Sequence, residues 1–146
     1  MDWQKNIISS DAELRELLQN THRIAVLGIK PETHFDQPAF YVPKYMAESG
    51  AEIIPVPVYY PEVTEILGKP VYRKLIDVPG KIDMVNVFRR SQDVPPHVED
   101  IIAAKPDSVW LQQGIRNDAA AETLAKAGIK VVQDSCLLVV HRMLMR

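Results

Sequence analysis

Two adjacent arginines, Arg89 and Arg90, come directly after the apolar run Ile82-Asp83-Met84-Val85-Asn86-Val87-Phe88. Guanidinium groups on a loop can hold phosphate oxygens bidentately, and the phenylalanine before them offers a flat face to a base. Lys30 is a second cationic candidate, in Gly28-Ile29-Lys30-Pro31, again just past an apolar run. Glycine there permits a tight turn and close backbone approach, and a helix starting soon after turns free amides and its positive dipole end toward a phosphate. The full three-glycine dinucleotide fingerprint is absent. After Trp110-Leu111 the chain gives Gln112-Gln113-Gly114, whose side-chain amides suit a base or an amide-bearing arm. After Val56 it gives Pro57-Val58-Tyr59, with no acid where an NAD-binding fold sets Asp or Glu on the ribose hydroxyls. A tip without that carboxylate admits a ribose bearing a phosphate. Each feature also has a plain structural reading: a turn glycine, a strand-ending proline, arginines on neighbouring acids, Trp110 as core, a glutamine capping the sheet end.

Nucleophile–base–orienter sets are not anchored by any motif: no nucleophile elbow, P-loop or His-Glu-x-x-His occurs. Asp134, Cys136 and His141 are close in sequence. On a helix, however, the cysteine and histidine stand ~140° apart, and Cys136 reads as a small core residue. His22, His34 and His97 fall in or near loops and read as solvated, with His34 nearest the phosphate-loop region. Lys+Arg number 17 and Asp+Glu 19, for a net charge of −2. That balance builds no basic field for nucleic acid, so a bound anion must be small and locally held. A single cysteine excludes an internal disulfide and fits a reducing compartment. The mixed-charge start lacks an apolar leader, and no apolar stretch approaches the ~20 residues of a membrane span. The expectation is a cytoplasmic protein.

The elements that must position these groups alternate from end to end. Ser10 and Glu13 form a capping box for a helix over 11–20, with Leu14, Leu17 and Leu18 as its apolar stripe. Strands are expected at 23–28, 51–56, 82–88, 108–111 and 129–132. Helices are expected at 39–49, 94–104, 117–127 and 136–146, with a short one around 72–76. Pro43 requires the second helix to start late or bend. Short apolar strands between helices give parallel βαβ units, hence an α/β, three-layer, doubly wound parallel sheet of about five strands. The expected strand order is 3-2-1-4-5, with ligands beyond the carboxyl ends of the strands. Residues 1–146 read as one domain, the 11–20 helix being an N-terminal extension.

An ordered set of motifs carries a family resemblance. Ile24-Ala25-Val26-Leu27-Gly28, Asp36-Gln37-Pro38 before Tyr45, and Ile54-Pro55-Val56 are followed by Val87-Phe88-Arg89-Arg90. Val109-Trp110-Leu111-Gln112 with Gly114, and Asp134-x-Cys136 with His141, complete the set. From Arg23 to Leu144 the chain resembles the small stand-alone CoA-binding domain proteins, similar to the Rossmann-like CoA-binding domain of the succinyl-CoA synthetase alpha subunit. The resemblance implies a domain that takes coenzyme A or an acyl-CoA at its strand ends. Carried over, Gly28, Ile29 and Lys30 with Phe40 and Tyr41 at the helix start hold the pyrophosphate. Pro57 and Phe88 border the adenosine, Arg89 or Arg90 lies near a phosphate, and Gln113 lies close to the nucleotide or its pantetheine arm. Ala39-Phe40 departs from the family's usual Ser-Tyr, which removes a hydroxyl. The synthetase's catalytic histidine belongs to a second domain, so synthetase activity is not implied. The leading expectation is a non-catalytic binding, sensor or accessory module, with no nucleic-acid or membrane partner and no protein partner specified. The alternatives are an NAD(P)-binding enzyme or redox sensor of related fold, and an interaction domain with a vestigial cleft.

Overall fold

A computed structural model describes residues 2–145. The first helix, α1 (Asp11–Gln19), begins as its capping box requires: Ser10 Oγ accepts from the Glu13 amide at 3.2 Å and donates to the Glu13 carboxylate at 2.9 Å. There follow β1 (Arg23–Leu27), α2 (Pro38–Glu48) and β2 (Glu52–Val56), then a two-stranded hairpin, β3 (Glu65–Ile66) and β4 (Lys69–Pro70). The remainder is β5 (Met84–Val87), α3 (Val98–Ala104), β6 (Ser108–Leu111), α4 (Asp118–Lys126), β7 (Lys130–Val132) and α5 (Leu137–Leu144). Arg146, the expected last residue of the terminal helix, lies outside the described residues. The expected short helix near 72–76 is a 3-10 turn at Leu75–Asp77, and the 94–104 helix opens with a 3-10 turn at Pro95–His97. Four short segments were not foreseen: the hairpin and the 3-10 turns at Trp3–Asn6, Glu32–His34 and Ser91–Asp93.

Five strands form one parallel sheet in the order β2-β1-β5-β6-β7. The α/β doubly wound class holds, and its pattern appears with one substitution. In chain order the five strands run 2-1-3-4-5, so the strand expected at 82–88 lies beside β1 and not beside β2. The place beyond β2 is taken by the hairpin segment, where the Tyr72 amide donates to the Pro55 carbonyl at 2.9 Å. Residues 57–83, interrupted by Pro61, Gly68, Pro70, Pro79 and Gly80, supply that rudimentary edge in place of a full strand–helix unit. β2 is thus an edge of the five-stranded sheet, the position that tolerates Pro55.

Alternate residues on each strand face opposite layers. Ala25, Leu27, Val85, Val87, Val109 and Leu111 pack with Ile101 of α3 and Leu124 of α4. Ile24, Val26, Met84 and Trp110 pack with Leu17 of α1, Phe40 and Met46 of α2, and Leu137 of α5. Trp110 is fully buried and its indole N–H donates to the Ser135 carbonyl at 2.8 Å, as the core reading requires. At the opposite end of the sheet, the Asp83 carboxylate accepts from the amides of His22 and Arg23 at 2.9 and 2.8 Å, pinning β1 beside the start of β5.

Candidate functional site

Parallel pairing brings the carboxyl ends of the strands to one edge. Gly28 N donates to Val56 O at 2.9 Å, Phe88 N to Leu27 O at 2.8 Å and Gln112 N to Val87 O at 3.2 Å. The loops opening at Gly28, Pro57, Phe88 and Gln113 therefore leave a common rim. After β1 the chain returns through α2 on one face of the sheet, and after β5 through α3 on the other. The winding reverses between β1 and β5, which is where an open α/β sheet forms its crevice. A cleft of about 510 Å³ lies there, lined by Lys30, Gln37, Pro38 and Ala39 on the α2 side. Phe88, Arg89, Arg90, Ser91 and Gln92 line it after β5, and Gln112, Gln113, Gly114 and Ile115 after β6.

Of the ten residues named from sequence, Lys30, Phe88, Arg89, Arg90 and Gln113 line this one cleft. The other five are placed differently. Ile29 and Phe40 are buried in the apolar layer around α2, and Pro57 is buried beyond the tip of β2. Tyr41 is exposed on α2. Gly28 is at the β1 tip, but the space its missing side chain leaves is filled from within: a Cβ there would collide with the Phe88 carbonyl oxygen and crowd the Arg89 side chain. Its φ of +88° and this close approach serve the joining of two strand tips. The glycine that leaves open space at the cleft is Gly114, with φ +84° and nothing within 4 Å of a built Cβ.

Lys30 is held by a consequence of the mid-helix proline. Regular helix geometry would have residue 43 donate to the Ala39 carbonyl, and Pro43 has no N–H to give. The Lys30 amide takes that carbonyl instead, at 3.1 Å, which ties the loop after β1 to the first turn of α2. The Lys30 ammonium then donates to the Gln37 side-chain oxygen at the N-cap of α2. Pro43 does not delay the helix, which starts at Pro38 and continues through it. The positive end of α2 and the Lys30 charge thus meet at one wall of the cleft.

The opposite wall carries the arginines. Arg89 is partly buried; its Nε donates to His97 Nε2 at 3.3 Å and its Nη2 lies 4.0 Å from Asp93 Oδ2. Arg90 is largely exposed and donates to the same Asp93 oxygen at 2.8 Å. Burial, then the Arg89 charge, hold His97 below its ordinary titration range against the opposing pull of Asp100 and Asp93. A neutral imidazole is the form that can accept from Arg89. His97 is therefore half-buried and engaged, in contrast to the solvated reading. His34 contacts Tyr60, with rings 5.3 Å apart, and does not line the cleft. Asp134 accepts from the Gly114 amide at 2.7 Å and so braces the third wall. Ser91 and Gln37, which sequence reasoning passed over, also line the cleft. Ser91 had one legible signal, its position directly after the arginine pair. Among the described residues no group of three or more His, Cys, Asp or Glu could hold a metal ion, and no helix is long and apolar enough to cross a membrane.

Comparison with known proteins gives consistent results. A family described as a CoA binding domain matches residues 22–142. The chain is 39% identical over 132 residues to an uncharacterized Bacillus subtilis (strain 168) protein, YneT, covering 90% of this chain and 94% of that one. A solved structure from Thermus thermophilus, cell-free ID.343, superposes with a TM-score of 0.85 at 37% identity, covering 93% of this chain and 99% of that one. A dinucleotide-forming acetyl-coenzyme A synthetase from Ca. Korarchaeum cryptofilum shares the fold, with a TM-score of 0.65 at 20% identity over 80% of this chain and 26% of that one.

Proposed function

The chain belongs to the CoA binding domain family, and from that premise we propose that it binds coenzyme A or an acyl-CoA in the cleft at the β1–β5 reversal. The observation that carries the proposal is the gathering of Lys30, Arg89 and Arg90 around one cleft from two separate strand ends. Asp93 offsets one of these three charges, and the positive excess that remains around the space suits a pyrophosphate with a ribose phosphate. The α2 amino end adds its partial charge from the same side as Lys30. Phe88, half-exposed at the rim, covers the base. The two glutamines and Ile115 offer a neutral surface to the arm.

The cleft's side chains are cations, amides, a hydroxyl and apolar groups, which hold and orient a ligand. We therefore read the protein as a binding, sensor or accessory module. A thermal-shift and calorimetry series with CoA, dephospho-CoA, NAD and NADP tests this. CoA at one hundred times its dissociation constant should stabilise the fold by ~2.7 kcal/mol. Dephospho-CoA should bind more weakly, and NAD should have little effect, because no acid at the tip of β2 holds its ribose hydroxyls. Stabilisation by NAD without any by CoA would overturn the proposal.

A further inference from the structure

Asn86 is fully buried in β5, on the face of the sheet that otherwise carries Val26, Met84 and Trp110. Its Nδ2 donates to the Trp110 carbonyl and to Gln112 Oε1, each at 3.3 Å. Its Oδ1 is sealed from solvent and, among the described residues, is the buried side-chain polar atom with no partner. A polar side chain with an unpaired acceptor at the centre of a sheet destabilises the fold relative to an apolar residue of the same shape. What the asparagine achieves there is to hold Gln112.

Gln112 is itself buried, yet it lines the cleft. Its Oε1 accepts from Asn86 and also from the Leu137 amide at 3.3 Å, at the start of α5. The direction of this amide is chemically determined: a backbone N–H can only donate, so the atom facing Leu137 must be oxygen. The Trp110 carbonyl can only accept, so the Asn86 atom facing it must be nitrogen. With Oε1 committed inward twice, Nε2 is left without a partner among the described residues and is not among the sealed atoms. Gln112 thus presents a fixed N–H donor to the cleft. Gln113, one residue on, is exposed, and no side-chain bond restrains it among the described residues.

Charge is segregated along the same cleft. Lys30, Arg89 and Arg90 follow β1 and β5, whereas Gln112, Gln113, Gly114 and Ile115, which follow β6, carry none. A ligand with a polyanionic end and an uncharged, amide-bearing arm lies across this division in one sense only. We infer that Gln112 is the specificity-determining group for the arm: its Nε2 donates to an amide carbonyl oxygen of the ligand, and Asn86 is the positioning residue behind it. The assignment rests on the CoA reading and goes beyond it by naming the group that separates CoA from nucleotides that share only its phosphates.

Calorimetric titration of CoA and of adenosine 3′,5′-bisphosphate, which has the nucleotide end and no arm, tests the assignment. Gln112→Met removes the donor without adding a charge that would itself repel the phosphates of either ligand. CoA should then bind about tenfold more weakly or worse, with the bisphosphate changed by less than about twofold. Asn86→Leu supplies the independent readout: the melting temperature should hold or rise as the unpaired acceptor disappears, while CoA affinity falls several-fold and that of the bisphosphate does not. Unchanged CoA affinity in Gln112→Met, or equal weakening of both ligands, overturns the role of Gln112. Undiminished CoA affinity in Asn86→Leu overturns the positioning role. A wild-type protein that binds the bisphosphate and CoA equally well overturns recognition of the arm while leaving nucleotide binding intact. One that binds neither overturns the proposed function together with this assignment.

Discussion

Replacing Gly28 with alanine separates two physical effects that a glycine can hide. Gly28 and Gly114 have nearly the same backbone torsion, φ +88° and +84°, and both stand at the cleft end of the sheet. An L-residue in that region costs about 1–2 kcal/mol, so both substitutions carry this strain. Only at Gly28 does the new Cβ meet backbone, the carbonyl oxygen of Phe88, with the Arg89 side chain at 3.3 Å; at Gly114 it meets nothing within 4 Å. The Phe88 backbone is itself tied to β1 through its amide on Leu27 O at 2.8 Å, so it cannot give way without loosening the seam between β1 and β5. Forcing atoms into an occupied space adds about 1–3 kcal/mol. Gly28→Ala should therefore lose about 2–5 kcal/mol and Gly114→Ala about 1–2 kcal/mol. At ~4 °C per kcal/mol for a chain of this length, the first falls by roughly 8–20 °C and the second by roughly 4–8 °C. Urea unfolding of both variants against the parent measures the difference at constant chemistry. Equal losses, within about 0.5 kcal/mol, would refute the collision and return Gly28 to the status of an ordinary turn glycine.

Further expectations concern the cations, the histidine and the outer loop. Arg89→Ala should weaken CoA binding about ten- to a hundredfold, because this guanidinium is part-buried and held by His97, whereas exposed Arg90→Ala should cost under about fivefold; calorimetry giving the reverse order would count against the wall described here. His97 is kept neutral in the folded chain by burial and by Arg89, over the opposing Asp100 and Asp93, so the unfolded chain takes up the proton first as pH falls. The associated stability is present above the ordinary value near 6.5 and is lost as pH falls through it toward the lowered folded value. Denaturation between pH 7.5 and 5.5 should show a shallower loss in His97→Phe than in the parent, the remainder including His141, which burial also lowers; identical slopes would exclude His97 as a source. Arg73 donates to the carbonyls of Tyr59, Tyr60 and Val63 at 2.8–2.9 Å, so Arg73→Ala should raise amide exchange across 59–63 by about tenfold, and unchanged protection would show that this loop is held by other means.

Local signals were legible wherever a residue's neighbours in sequence are also its neighbours in space. Ser10 with Glu13 and the five apolar runs needed no tertiary information, since caps and strand patterns act within a few residues. The parallel class followed from alternation, and with it the shared edge that holds Lys30, Phe88, Arg89, Arg90 and Gln113. Strand neighbours were another matter. The place of 84–87 beside β1 goes with another segment taking the outer side of β2, where the Tyr72 amide bonds the Pro55 carbonyl, and no local signal marks that choice. The same holds for the finer site. Ile29 and Phe40 turn into the core because the layer packed on the sheet claims them, while the carbonyl freed by Pro43 is spoken for by Lys30. The division of labour between Gln112 and Gln113 is set by Asn86 and Leu137, over separations of about 25 residues. The sequence by itself determined the main helices and the five strands of the parallel sheet and that their loops share an edge, because those are matters of local propensity and strand direction. Only the tertiary structure decided which side chain faces the cleft and which polar atom it presents, because burial and hydrogen-bond partners come from segments that sequence order does not bring together.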